Sequence, residues 1–260
     1  MKELNVLSLA DVCGEEAVKA LAKALPSLKR ETNADLVLVN AENAANDNGS
    51  HPALCEVLLE SGADVLTGGN HTLKKQEMHD WIENHPRVLR PENLSRPAPG
   101  AGHVIVEVRG VRVLVANLLG QAFLSGSQNP FLSADALLEK RRGEYDLAVC
   151  DFHGEATAEK GAFARDFDGK FSVVFGTHTH VPTADLQILN GGTAFVTDLG
   201  MCGARESVLG VKTEESIRRF RTGEPLNYRP ASGGIVLMGA LFTVAENGTC
   251  LAARRIEKNI

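Results

Sequence analysis

Asp35-Leu-Val-Leu-Val39 is a short aliphatic run that gives way at once to the polar residues Asn40-Ala-Glu-Asn43. A strand that is apolar at successive positions is typical of a sheet covered on both faces. Similar runs at 4–9 and 63–67 flank it, and helical patterns near 15–29 and 52–61 separate the three. This alternation of strands and helices predicts an α/β fold.

The middle of the chain adds antiparallel pairing. Residues 103–108 and 111–115 flank Arg109-Gly110 and predict a hairpin, and Asn190-Gly191-Gly192 predicts a second one. Ser133 is the predicted N-cap of a helix that runs to about Arg142. Further strands are predicted at 146–150, 171–175, 234–244 and up to about 256, and further helices near 73–84, 155–165 and 214–221. We therefore expect one mixed α/β domain over 1–260.

Composition excludes several classes of function. The net charge of -6 and the lack of a basic, aromatic-rich stretch argue against non-specific and sequence-specific binding of nucleic acid. Five scattered cysteines without a C-x-x-C pair predict neither disulfides nor a thiolate zinc site. The apolar start, residues 4–13, is too short to span a membrane and lacks the features of a signal peptide. We expect a cytoplasmic protein without membrane association.

Residues that can bind a metal follow several of the predicted strands. They are Asp11; Asn40, Glu42 and Asn43; Asn70 and His71; His153; and His178 with His180. Because the carboxyl ends of strands form the ligand crevice of open α/β sheets, these distant segments can converge.

Taken singly, most of these residues have ordinary structural explanations. An aspartate after a strand is commonly a turn residue, and an Asn-His pair after two glycines can simply begin a helix. Gly176-Thr-His-Thr-His180 is more informative, since side chains at positions i and i+2 of an extended segment share a face. Two imidazoles on one face can meet at one metal centre.

The motifs resemble, in chain order, those of the calcineurin-like metallophosphoesterases, and in particular the bacterial YmdB-like phosphodiesterase branch. The matching segments are Asn40-Ala-Glu-Asn-Ala-Ala45, Gly68-Gly-Asn-His71, Arg90-Pro91, Asp151-Phe-His-Gly-Glu-Ala-Thr157, Gly176-Thr-His-Thr-His-Val181, Gly191-Gly-Thr-Ala194 and Thr197-Asp-Leu-Gly-Met201. The resemblance implies a single-domain, four-layer α/β/β/α sandwich of two mixed sheets. It also implies a dinuclear metal site at the carboxyl ends of the strands.

The resemblance also implies a set of ligands. One metal would take Asp11, a bridging Glu42 and His180, with Asn43 close by; the other would take Glu42, Asn70, His153 and His178. Oxygen and imidazole ligands suit two divalent or transition-metal ions, with iron favoured and manganese or zinc as alternatives. Asp11-Val-Cys13 lacks the histidine of the usual Asp-x-His motif, a change that the branch shares. Cys13 is not expected to be a ligand, and Cys202 is expected to alter the pocket wall.

The activity implied is hydrolysis of a small phosphoester, most specifically a 2′,3′-cyclic nucleotide, by a hydroxide that bridges the metals. His71 is the expected general acid, although it could instead only orient the phosphate. Two alternatives stay open: a phosphomonoesterase or phosphoprotein phosphatase, and a metal-binding regulatory protein with incidental turnover. A homo-oligomer, dimer or tetramer, is implied by the resemblance alone.

Overall fold

The computed structural model describes residues 2–95, 97–225 and 229–260. The strands are β1 (Glu3–Leu9), β2 (Asp11–Val12), β3 (Leu36–Asn40), β4 (Val65–Thr67), β5 (His103–Val108), β6 (Val111–Leu119), β7 (Leu147–His153), β8 (Val173–Thr177), β9 (Gln187–Ile188), β10 (Ala194–Val196), β11 (Met201–Ala204), β12 (Ile235–Ala245) and β13 (Cys250–Asn259). The helices are α1 (Glu15–Thr32), α2 (Pro52–Glu60), α3 (Gln76–Ile82), α4 (Pro130–Lys140), α5 (Thr157–Asp166) and α6 (Thr213–Thr222). None of the helices in these ranges is long and apolar enough to cross a membrane.

The first sheet has the strand order β2-β11-β12-β1-β3-β4, and β13 pairs with β12. Strands β1, β3 and β4 are parallel to one another, whereas β12 runs antiparallel to β1. Every residue of the aliphatic strand β3 is buried, as its sequence predicts. The carboxyl ends of β1, β3 and β4 therefore lie along one edge of this mixed sheet.

The second sheet has the order β5-β6-β7-β8-β10-β9. Both predicted hairpins are confirmed, since β5 pairs antiparallel with β6 and β9 pairs antiparallel with β10. Between them, β6, β7, β8 and β10 are parallel. The fold is thus mixed α/β with two mixed sheets.

Three buried apolar clusters hold these elements together. The middle cluster takes side chains from both sheets, such as Leu38 of β3 and Val149 of β7. A second cluster lies between the first sheet and α1–α3, and includes Leu21 of α1. The third, which includes Phe163 of α5, lies between the second sheet and α4–α5. Each sheet is therefore apolar on both faces, which accounts for the absence of alternation in strands such as β3.

One predicted boundary is wrong. Helix α4 does not begin at Ser133 but at Pro130, and Asn129 is its N-cap. The Asn129 side chain accepts hydrogen bonds from the backbone N–H groups of Phe131 and Leu132. Asparagine at the cap followed by proline at the first helical position is a stronger start signal than an internal serine.

Candidate metal centre

Polar side chains from both sheets meet at one end of the strands. Glu42 follows β3 of the first sheet, and His153 is the last residue of β7 in the second. The Glu42 Oε1 and His153 Nε2 atoms are 3.1 Å apart, although 111 residues separate them in sequence. Both side chains are almost completely buried. The convergence expected from strand ends is therefore present, and it joins the two sheets.

Glu42 occupies the middle of this cluster, and its two carboxylate oxygens have different neighbours. Oε1 accepts a hydrogen bond from Asn43 Nδ2 at 3.0 Å and faces His153. Oε2 accepts one from the backbone N–H of His71 at 2.9 Å. Burial raises the pKa of Glu42, but His153 and His71 outweigh it and hold that pKa well below its usual value. The carboxylate is thus ionised and can serve more than one partner.

On one side of Glu42, three polar atoms crowd the Nε2 atom of His153. They are Glu42 Oε1, Asn70 Oδ1 at 3.2 Å and His178 Nδ1 at 3.1 Å. An imidazole nitrogen carries at most one proton and cannot satisfy three neighbours at once. Glu42, His153 and His178 also present ligand atoms within 4.8 Å of one another, a spacing that a cation can span. This donor set fits a metal better than it fits a hydrogen-bond network.

Hydrogen bonds at the Nδ1 atom of His153 determine which of its two ring nitrogens carries the proton. Burial raises the pKa of Asp151 to about 6, so its carboxylate is ionised at neutral pH. The Thr177 hydroxyl donates to Asp151 Oδ1 at 2.6 Å, and its oxygen lies 2.9 Å from His153 Nδ1. With its only proton engaged, that hydroxyl must accept from His153 Nδ1–H. In the neutral ring, the Nε2 atom of His153 then carries the lone pair, which can bind a metal.

On the other side of Glu42, Asp11 has an unsatisfied oxygen. Asp11 is fully buried, and its Oδ1 makes no hydrogen bond within the described part of the chain. Two histidine nitrogens lie near this oxygen, His180 Nε2 at 3.6 Å and His153 Nδ1 at 4.0 Å. Asn43 Nδ2 also lies 3.3 Å from His180 Nε2. Because a buried, unpartnered carboxylate oxygen is costly, a cation between Asp11, Asn43 and His180 would account for this arrangement.

The Gly176–Val181 motif is not extended at its two histidines, so the expectation of an extended segment is wrong. His178 and His180 both have left-handed backbone angles, with φ of 101° and 63°, and the segment bends instead of extending. The bend directs His178 to His153 and His180 to Asp11. Non-glycine residues in this region are strained by about 1–3 kcal/mol and typically occur where function requires them.

Gly69 allows the loop after β4 to approach the cluster closely. A Cβ atom at this position would lie 2.3 Å from both Glu42 Oε2 and His153 Nε2. Only glycine leaves enough space for that approach. His71, two residues after Gly69, lies at the rim of the cluster with about one-third of its side chain exposed. The His71 Nδ1 atom lies 3.4 Å from Glu42 Oε1.

Cys13 and Cys202 have different surroundings in the structure. Cys13 Sγ lies 3.6 Å from His180 Nδ1, the ring nitrogen that faces away from Asp11. Cys202 packs in the buried cluster under α1–α3 and not in a pocket wall, so that expectation is wrong. The sequence assigned no role to Asp151 or Asp198, although both belong to quoted motifs. Asp151 could have been found from the sequence, because a carboxylate is unexpected inside a strand as apolar as β7.

Two mixed sheets that bring carboxylates and imidazoles together at their strand ends define a protein of the metallophosphoesterase type. The chain belongs to the YmdB-like family, whose model, described as YmdB-like protein, matches residues 7–256. The resemblance drawn from the motifs is thereby confirmed.

Individual relatives agree with the family match. The 2′,3′-cyclic-nucleotide 2′-phosphodiesterase of Bacillus subtilis (strain 168) is 38% identical over 243 residues, which are 94% of this chain and 92% of that protein. The structure of a novel phosphatase from Mycoplasma pneumoniae has a TM-score of 0.94 at 36% identity and covers 100% of this chain and 94% of its own. A hypothetical protein from Thermus thermophilus has a TM-score of 0.92 at 35% identity, covering 98% and 99% of the two chains.

Proposed function

We propose that this chain, a phosphoric ester hydrolase of the YmdB-like family, is a phosphodiesterase that uses two metal ions to hydrolyse small 2′,3′-cyclic nucleotides. The observation that carries the proposal is the position of Glu42 between two sets of ligand atoms, with Asp11 Oδ1 left unsatisfied beside one of them. The substrate is taken from the Bacillus subtilis relative, which matches along nearly its whole length.

The proposed ligands form two groups that share Glu42. Asp11, Asn43 and His180 form one group, and Asn70, His153 and His178 form the other. Burial lowers the pKa of His178 to about 4, so its imidazole is neutral at neutral pH, the form that binds metal. Oxygen and imidazole ligands favour iron, manganese or zinc. When bound there, two such cations would lower the pKa of a water and offset charge on the phosphoryl oxygens.

His71 is the proposed general acid. Its backbone N–H donates to Glu42 Oε2, and its ring Nδ1 lies 3.3 Å from Asn43 Oδ1, so two residues of the centre fix the ring at the rim. A ring held there can give a proton to the oxygen that leaves phosphorus. Glu42 and Asn43 would thus both bind metal and orient the acid.

The rest of the architecture is proposed on the same basis. The three apolar clusters would separate four layers, helices, sheet, sheet and helices, within one domain over 1–260.

All five cysteines lie in the described ranges and are free, which supports a reducing cytoplasm. A dimer or tetramer is proposed from the family resemblance, and light scattering of the purified protein measures it.

Metal analysis combined with a substrate panel tests the proposal. We expect about two metal ions per chain and faster turnover of 2′,3′-cyclic AMP and bis-p-nitrophenyl phosphate than of p-nitrophenyl phosphate. His153→Ala should lose metal and turnover together. His51→Asn is the matched control, because His51 only caps helix α2 and asparagine also caps helices well.

The same panel separates the alternatives. The novel phosphatase from Mycoplasma pneumoniae favours a monoesterase as the second candidate, and preference for p-nitrophenyl phosphate would establish it. Two bound metals without turnover of any ester would instead indicate a metal-binding regulatory protein. A metal content near zero after reconstitution with iron, manganese and zinc would contradict all three possibilities.

A further inference from the structure

A cavity opens directly beside the proposed general acid. Its volume is about 270 Å³, and its lining includes the polar residues Asn70, His71 and Lys74. The apolar residues Pro91, Leu94 and Leu119 also line it. A typical pocket for a drug-sized ligand measures about 300–1,000 Å³, so this one suits a single nucleoside better than a run of nucleotides.

A short loop, residues 120–127, also lines the cavity through Ser125 and Gly126. Both ends of this loop are fixed. The backbone N–H groups of Gln121 and Ala122 donate to the Glu159 carboxylate at 2.8 and 3.1 Å. At the other end, the backbone N–H of Ser95 donates to Gly126 O at 2.9 Å. The loop is therefore built into the cavity wall.

Phe123 stands at the tip of this loop, two residues before the cavity-lining Ser125. Its side chain is 89% exposed, the largest exposed fraction among the large apolar residues of the described chain. Its φ of 65° is strained for a residue other than glycine. Exposed aromatic rings beside polar, anion-binding sites are what proteins use to stack on bases.

The chemistry of the proposed reaction sets where the nucleoside must lie. Water adds its oxygen to phosphorus and releases one proton to the solvent, the bond from phosphorus to the ribose 2′ oxygen breaks, and that oxygen takes up a proton from His71. His71 then regains its proton from the solvent, so the net change is the addition of one water. The leaving oxygen stays on the nucleoside, so the nucleoside must sit on the same side as the group that protonates it. His71 lines both the proposed metal centre and the cavity.

We infer that this cavity is the nucleoside subsite of the enzyme, with the ribose against Asn70 and His71, the base against Leu94 and Leu119, and Phe123 as the stacking ring. This inference rests on the proposed function. It adds a specificity determinant, loop 120–127, that acts on the base and not on the phosphate.

The test compares 2′,3′-cyclic AMP with ribose 2′,3′-cyclic phosphate, which has the same reactive group and no base. For the wild type we expect kcat/KM to be at least ten-fold higher with the nucleotide. Phe123→Ala and the cavity-filling Leu94→Trp should each remove most of that ratio, chiefly by raising KM for the nucleotide. Phe123→Tyr should keep it, since a tyrosine ring also stacks. Leu132→Trp, at an exposed position of α4 outside the cavity lining, is the control and should leave both substrates unchanged.

Equal kcat/KM for the two substrates in the wild type, or an unchanged ratio in Phe123→Ala and Leu94→Trp, would overturn the subsite while leaving the proposed function intact. If the wild type hydrolyses neither ester, the proposed function fails, and the cavity is tested by titration with 3′-AMP. Loss of 3′-AMP binding in Leu94→Trp but not in Leu132→Trp would then support the subsite, and equal binding in all variants would overturn it.

Discussion

Lys160 and Asp198 form a completely buried ion pair, 2.9 Å from Nζ to Oδ2, next to the bend that carries His178. Lys160 Nζ also donates to Thr177 O at 2.8 Å, and Asp198 Oδ2 accepts from the Thr179 backbone N–H at 3.1 Å. The pair therefore holds the backbone on both sides of His178. Since His178 has a strained φ, this support explains how the bend persists.

Removing one member of this pair should destabilise the protein and loosen the His178 bend. We expect Lys160→Met to lower the free energy of unfolding by about 3–5 kcal/mol, because Asp198 is left as an uncompensated buried charge. The double variant Lys160→Met/Asp198→Asn should regain part of that stability without regaining metal content. Urea unfolding and metal analysis measure the two effects. A single variant as stable and as metal-rich as the wild type would contradict this role.

Asp11→Asn should cost more stability with metal than without it. Without metal, burial opposes the Asp11 charge, but His180 and His153 outweigh burial and hold the pKa of Asp11 below its usual value, so loss of the charge should lower Tm modestly. With metal, the loss of a charged ligand should also weaken binding and remove the stabilisation that bound metal supplies. Thermal unfolding with and without a chelator measures both. Asp47→Asn, at an exposed ion pair with Lys75, is the matched control and should show no such dependence on metal.

His71→Ala should impair esters with poor leaving groups far more than those with good ones. General-acid catalysis contributes about 10²–10⁴-fold, and a p-nitrophenolate leaving group hardly needs a proton. We therefore expect a loss of about 10²-fold or more with a cyclic nucleotide and a much smaller one with bis-p-nitrophenyl phosphate. Steady-state kinetics decide the matter. Equal losses on both esters would restrict His71 to orienting the phosphate.

Asp185 should contribute stability that is lost in acid. Partial burial raises its pKa, but hydrogen bonds from the Thr183 and Thr197 hydroxyls outweigh that effect and hold the pKa below its usual value. As pH falls, the unfolded chain takes up the proton first, near pH 4, so the contribution is complete above that pH. It disappears as pH falls through the lower native pKa.

The corresponding experiment compares the wild type with Asp185→Asn. We expect the variant to be less stable by about 0.5–1 kcal/mol at pH 7 and at pH 5, because solvent screens this partly exposed carboxylate, and the difference to shrink below pH 4. Urea unfolding across this range measures it. A difference that stays constant down to pH 3 would mean that the Asp185 charge is not responsible.

Much of the fold could be predicted because burial leaves a direct trace in the sequence. Strand β3 lies inside a sheet covered on both faces, so its apolar run and its polar end at Asn40 were both visible. The proposed ligands at strand ends were predicted from that periodicity. The Asn129 cap of α4 was also visible locally, in the Asn-Pro pair, and preferring Ser133 was an error of interpretation. Local sequence failed where the backbone conformation depends on distant contacts, as at the left-handed His178 and His180.

The supporting residues were harder to find than the proposed ligands. Lys160 looks in the sequence like an ordinary solvent-facing lysine of helix α5, and only the tertiary structure reveals that it is buried against Asp198. Likewise, Thr177 selects the tautomer of His153 through a hydrogen bond across two strands. Such contacts join positions with no regular spacing, so no periodicity in the sequence marks them.

Anomalous diffraction from crystals of the manganese-loaded protein tests the proposed centre most directly. We expect two peaks about 3.5–4 Å apart, the spacing of dinuclear sites, with the Glu42 carboxylate in contact with both. Asp11 and His180 should bind one ion, and His153 and His178 the other. A single peak, or two peaks that Glu42 does not bridge, would contradict the dinuclear centre.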